Sequence, residues 1–160
     1  ININYFKMKT LTFKNLSEFK KMIGRELPES DWISVSQEMI NDFANATLDR
    51  QWVHVDVERA KKESPFKSTI AHGFMSVALL SKFLGDLITI ESIKLGLNYG
   101  LNKVRFMNPV LVNSKLHLKS TVTGIEDHKH GVKVTFSCTV EIEGVEKPAC
   151  VAEFLALFFE

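Results

Sequence analysis

The stretch HGFMSVALLSKFLGDLI, residues 72–88, decides how the rest of the chain is read. It holds the longest apolar run in the sequence, yet Ser76, Ser81, Lys82 and Asp86 interrupt it. A membrane-spanning helix needs about 20 mostly uncharged residues. The spacing therefore predicts a core helix from His72 to Ile88. Its apolar side chains fall on nearly every face, so other structure must wrap it.

The segments that can wrap it lie downstream. From Leu101 onward the apolar period becomes two, most clearly at Val132, Val134, Phe136, Cys138, Val140 and Ile142. Segments 101–110, 114–126, 131–143 and 147–159 read as strands, with DHKHG (127–131) and EGVEK (143–147) as turns. The last strand is apolar on both alternations from Phe154 to Phe159, which predicts burial on both faces. Long antiparallel strands joined by hairpins, curved around one apolar helix, make an α+β fold.

Upstream the pattern is helical. Ser17 is the expected cap of a short helix over 18–23 that stops at Gly24. Ser34 and Gln37 have capping-box spacing, and Met39, Ile40, Phe43 and Ala44 form a stripe that ends near Thr47. Asp56 reads as the N-cap of another short helix, which Pro65 stops. The chain thus divides into a lead-in over 1–29 and one domain over 30–160. Met8 reads as the natural start, with residues 1–7 before it.

The chain has 160 residues, 45% hydrophobic and 24% charged, with a net charge of +1. These values predict a soluble globular domain with a sizeable core. They exclude the clustered Lys and Arg of a nucleic-acid surface. No signal-peptide pattern or membrane-inserting segment is expected. Cys138 and Cys150 are the only cysteines, and both lie in apolar alternating segments. They read as free, buried thiols in a reducing cytoplasm, with no metal site.

Between the helices lies DRQWVHVD, residues 49–56. A carboxylate (Asp49) and an imidazole (His54) on one loop can share a proton transfer across a single water. An unperturbed imidazole pKa of about 6.5 keeps both protonation states accessible. A plainer reading has Asp49 end the preceding helix and His54 sit satisfied and half-buried. The loop alone leaves both readings open.

Taken together, FANATLDRQWVHVD (43–56) and FKSTIAHGF (66–74) resemble the signature of MaoC-like dehydratases. This is a hotdog-fold family that includes (R)-specific enoyl-CoA hydratases. Phe43, Ala44, Asp49, His54, Asp56, Ile70, His72 and Gly73 carry the match over about residues 30 to 160. YGLNKVRF (99–106) and KPACVAEF (147–154) look closer to the NodN-like branch. Gln51-Trp52 departs from the Asn-Pro usual in hydratases.

The resemblance implies a hydro-lyase that interconverts 2-enoyl and (R)-3-hydroxyacyl thioesters carried on coenzyme A or acyl carrier protein. No further cofactor is implied. Asp49 and His54 would be the catalytic pair, with the Gln51 amide beside their water. The Gly73 N–H, at a helix N-terminus and free of a side chain, would stabilise the thioester oxyanion. Trp52 would narrow the acyl pocket and anchor the loop in the core, and Ser81 would line that pocket. A homodimer with the site near its interface is also implied. A hotdog thioesterase and a non-catalytic acyl-thioester-binding subunit are the alternatives.

Other residues take plainer readings. Asp56 is a cap, and His72 fixes the loop through hydrogen bonds. His128 and His130 mark a solvated hairpin tip. Trp32 and the phenylalanines belong to the core. Lys103 and Arg105 are exposed strand charges, with a coenzyme A phosphate path as their functional alternative.

Overall fold

The computed structural model describes residues 10–160, and the expected start at Met8 lies outside those residues. After strand β1 (Leu11–Phe13), helix α1 (Leu16–Phe19) continues into a 3-10 turn that ends before Gly24, whose φ is +75°. The cap is Asn15, not the expected Ser17: its extended backbone lets Oδ1 accept from the Glu18 N–H at 3.0 Å. The N–H groups of Gly24, Leu27 and Ser30 then donate to the carbonyls of Val122, Ser120 and Leu118. Leu16, Phe19, Met22 and Leu27 are buried in the common core, so the described part of the lead-in belongs to the same packing unit as residues 30–160.

Strand β2 (Ile33–Ser34) leads into helix α2 (Gln37–Thr47). Ser36 caps this helix by accepting from the Met39 N–H at 3.2 Å, whereas Ser34, the expected cap, pairs with Lys115 in the sheet. The apolar stripe stands, with Ile40 and Ala44 buried and Met39 and Phe43 half-buried. Helices α3 (Trp52–Val55) and α4 (Val57–Glu63) follow, the second capped by Asp56 through a 2.9 Å bond from the Arg59 N–H. The long helix α5 (Gly73–Leu87) runs straight into β3 (Ile88–Ile90), which pairs in parallel with β1.

Strands β4 (Leu95–Phe106), β5 (Lys115–His128), β6 (Gly131–Ile142) and β7 (Val145–Phe159) join β2 in one antiparallel sheet, ordered β2-β5-β6-β7-β4. β4 begins at Leu95, earlier than the expected Leu101. Gly96, Asn98 and Gly100 carry little strand propensity, and pairing with β7 makes the strand, with register shifts between Asn98 and Gly100 and between Leu101 and Lys103. β7 is an interior strand: Phe154, Leu155, Ala156 and Leu157 are buried on both faces, whereas Phe158 and Phe159, expected to be buried with them, are half-buried. His130 (φ +64°) and Gly144 (φ +73°) turn the two hairpins, and His128 and His130 are exposed.

The sheet does not cover every face of α5. Leu80, Phe83 and Leu87 are fully buried against it, each worth about 1.5–3 kcal/mol. Together they exceed the helix cost of about 1 kcal/mol that Gly85 brings. On the far side Phe74, Ala78, Ser81, Lys82 and Gly85 form an exposed stripe, because one sheet can cover only one side of a helix. Phe74, Phe66 and Phe106 are likewise exposed, so not all phenylalanines are core. Trp32, expected inside, is 43% exposed and lies flat on His117. Among the described residues no helix is long and apolar enough to cross a membrane.

Candidate active site

The site begins where α2 ends. Leu48 leaves the helix in the left-handed region at φ +64°, a conformation that costs a non-glycine residue roughly 1–3 kcal/mol. That turn swings Asp49 away from the helix axis. Asp49 Oδ1 accepts from the Gln51 N–H at 3.4 Å, and the single turn of α3 then brings His54 inward.

Three tethers hold this loop. The Gln37 side-chain amide donates to the His54 carbonyl at 2.8 Å, and its oxygen accepts from the Thr69 hydroxyl at 2.5 Å. The Ile70 N–H donates to the Val53 carbonyl at 3.1 Å. His72 Nε2 donates to the Asp49 carbonyl at 2.9 Å. None of these is Trp52. That side chain is half-buried outside the core cluster, with the Arg59 guanidinium 4.4 Å from its ring centroid, so the expectation that it anchors the loop in the core is corrected.

The protons on the two histidines can be assigned from their partners. His54 Nδ1 lies 2.7 Å from the Ile70 carbonyl. A carbonyl only accepts, so Nδ1 carries the hydrogen, and in the neutral ring Nε2 keeps a lone pair. Burial pushes the His54 pKa below its ordinary value. The Ile70 hydrogen bond opposes this, nearby His72 adds to it, and Asp49 opposes it weakly. A neutral, acceptor-ready Nε2 is what a general base requires.

Asp49, His54 and His72 each offer one donor atom, and these atoms lie within 4.8 Å of one another. A water bonded to both Asp49 and His54 spans such a separation. The same grouping admits a metal ion in principle. However, each imidazole commits one nitrogen to a backbone carbonyl, and the rings stack at 3.7 Å and 24°. Lone pairs in nearly parallel ring planes run side by side, whereas a metal's ligands converge.

His54, His72 and Gly73 line a cavity of about 290 Å³ with Ser76, Phe106 and Asn108 among its other walls. Gly73 opens α5, so its N–H lacks an intrahelical partner and sits at the positive end of the helix dipole. A Cβ on Gly73 would lie 3.0 Å from the Phe106 ring, so the glycine already admits a close neighbour from β4.

The other expected site residues lie elsewhere. Asp49, Gln51 and Trp52 do not line this cavity. Ser81, two turns beyond Gly73, lines a separate cavity of about 380 Å³ with Leu84, Ile88, Phe154 and Phe158. Its hydroxyl accepts from the Asn98 amide at 2.9 Å, across to β4. Lys103 and Arg105 pair opposite Glu153 and Val151, on the sheet face away from Phe106 and the His54 cavity.

Sequence reasoning missed Gln37, which it read only as a capping residue, and Ser76, one turn past Gly73. Their only signal was proximity, in the chain, to residues already singled out.

The family described as MaoC like domain matches residues 18–143. The chain is 47% identical over 148 residues to 3-hydroxyacyl-thioester dehydratase Z of Mycobacterium tuberculosis strain H37Rv, covering 92% of this chain and 97% of that one. It is 41% identical over 145 residues to nodulation protein N of Rhizobium meliloti, covering 89% and 90%. Its fold superposes on the unliganded R-hydratase PhaJ1 of Pseudomonas aeruginosa with a TM-score of 0.74 at 24% identity, over 92% of this chain and 87% of that one. A curved antiparallel sheet on a long helix, the Asp49–His54 loop over the start of that helix, and a family match across most of the chain give one conclusion: the protein belongs to the MaoC-like dehydratase family, with the hotdog fold, and is a hydro-lyase.

Proposed function

We propose that the protein reversibly hydrates a 2-enoyl thioester, on coenzyme A or acyl carrier protein, to the (R)-3-hydroxyacyl thioester, with Asp49 and His54 as catalytic pair. One observation carries this reading. The Nδ1–H of His54 is fixed on the Ile70 carbonyl, which leaves Nε2 as an acceptor, and one nitrogen of this ring lies within 4.8 Å of a carboxylate oxygen of Asp49. The thioester carbonyl lies at the Gly73 N–H, where negative charge developing on its oxygen is stabilised. The water's hydroxyl bonds C3, its proton passes through the Asp49–His54 pair to C2, and the pair returns to its starting state. The reverse sequence is dehydration. No redox step occurs. The dehydratase and hydratase names of the relatives support this substrate class.

The protein acts as a homodimer in a reducing cytoplasm. Strand β4 is a sheet edge among the described residues, and it exposes Leu95, Leu97, Tyr99, Leu101 and Phe106. A second copy pairing along β4 would cover both the open edge and these side chains. Both cysteines are buried and free, with burial pushing their thiols up to about 11, which suits a reducing compartment.

The test is an ultraviolet assay on enoyl thioesters of graded chain length. Hydration removes the absorbance of the conjugated enoyl group without releasing thiol. Release of thiol would instead identify a thioesterase. Binding without turnover of any chain length would identify an acyl-thioester-binding subunit. Light scattering at micromolar concentration reads the dimer, and a monomer there overturns that part.

A further inference from the structure

We infer that His72 is a positioning residue for the acid–base pair: its Nε2–H holds the Asp49 backbone in place, and its ring, stacked on His54, shields one face of that imidazole from water. The inference rests on the reading of Asp49 and His54 as the catalytic pair.

Three observations carry it. First, His72 Nε2 donates to the Asp49 carbonyl at 2.9 Å and lies 3.9 Å from its carboxylate, so one ring nitrogen ties the loop to the start of α5. Loop and helix contribute different parts of the site, and a misplacement of about 1 Å between them can cost about 10²-fold in rate. Second, the His72 ring is buried between two aromatic neighbours. It stacks on His54 at 3.7 Å and meets Phe43 at a centroid distance of 5.1 Å. Third, His72 Nδ1 is buried without a hydrogen-bond partner.

The third observation fixes the chemistry of the other two. With Nε2–H committed to a carbonyl, Nδ1 is the acceptor nitrogen of a neutral ring. The stacked His72 ring covers one face of His54, where water would otherwise solvate an imidazolium. The titratable groups facing His54 are Asp49, from its own loop, and His72, from the start of α5. Asp49 favours the imidazolium and His72 disfavours it. Burial, with His72 adding to it, outweighs the Ile70 hydrogen bond and Asp49, and the pKa is lowered. Removing the His72 imidazole therefore raises the His54 pKa.

Two variants separate the functions. His72→Gln keeps a side-chain N–H that can reach the Asp49 carbonyl but removes the stacked ring. His72→Phe keeps a stacked ring of similar size but removes the donor. His54 is titrated by NMR in the intact free protein, with its resonance assigned by loss in His54→Gln. kcat and KM are measured against pH on the best enoyl thioester found. The expected result is a higher His54 pKa in His72→Gln, with the acid limb of kcat/KM moving the same way. His72→Phe should lose about 10²-fold in kcat with KM nearly unchanged, whereas His72→Gln should stay within a few-fold. An unchanged His54 titration in His72→Gln overturns the inference, whatever happens to stability. If His72→Phe does not fold, the Gln variant decides alone. If His54→Gln keeps full turnover, the catalytic-pair reading has failed. If His54→Gln is inactive while the His72 variants titrate like the parent, only the role of His72 has failed.

Discussion

Two buried histidines, His54 and His117, show how partners rather than burial decide what an imidazole does. They are 7% and 3% exposed. His54 faces a backbone carbonyl and another imidazole. His117, on β5, faces carboxylates from both sides: Glu141 on Nε2 at 2.9 Å and Glu29 from Nδ1 at 3.9 Å. Lys119 bridges the same two carboxylates, and Trp32 stacks on His117 at 3.9 Å and 13°. The Glu141 bond and the flat Trp32 face hold this ring in place. His117 thus closes a polar clasp between the segment before β2 and the sheet, while His54 keeps a lone pair for chemistry.

Mutation should break this contrast most sharply in turnover. Asp49→Asn and His54→Gln should each lose about 10²–10⁴-fold, the usual worth of a general acid–base group. If the two share one water, the double variant should be little worse than the poorer single one. His117→Gln should leave turnover at the parental level. Near-normal turnover in both site variants would return DRQWVHVD to an ordinary polar turn.

Stability should show the reverse order. His117→Gln removes the hydrogen bond to the charged Glu141, a type worth about 1.5–3 kcal/mol, with solvent screening lowering the figure for this partly exposed carboxylate. Chemical denaturation at neutral pH should show a loss of about 1 kcal/mol or more. A loss no larger than that of an arbitrary surface change would mean that the clasp contributes nothing.

The two histidine sites should also separate by pH. His54 has a lowered pKa, so the unfolded chain binds its proton first. The stability this residue contributes is present above its ordinary 6.5 and is lost as pH falls through the folded value. The Glu141 pKa is lowered too, chiefly by its hydrogen bond from His117, so its contribution is present above 4.5 and is lost at more acidic pH. The stability difference between parent and His54→Gln should therefore change mainly below pH 6.5, and that for Glu141→Gln below pH 4.5. Coincident windows would mean that the two sites titrate as one unit.

The smallest expected effect is at Trp52. It packs under Arg59 at the surface, where a cation–π contact is worth about 0.5–1 kcal/mol. Trp52→Ala should cost about that much. An altered chain-length preference in the enoyl assay would show that Trp52 reaches the acyl chain. A much larger fall in melting temperature would show that it is a structural anchor after all.

The chain itself determined the elements with strong local signals. The period-two pattern through Val132 and Phe136 required a half-buried strand. The apolar run over 72–88 required a core helix, Asp56 required a cap, and Asp49, His54 and Gly73 were marked by their spacing and resemblance. Tertiary structure alone decided the rest. β4 exists before Leu101 only because β7 supplies its hydrogen bonds, against the low propensity of Gly96 and Gly100. Gln37 and Ser76 enter the site region only when α2 and α5 converge on the loop. Trp32 leaves the core because His117, far away in the chain, offers it a flat partner. A proton's position on an imidazole depends on which group faces each nitrogen. Ile70 and Asp49 supply those carbonyls only after folding, so the neutral state of His54 could not be read from the order of residues.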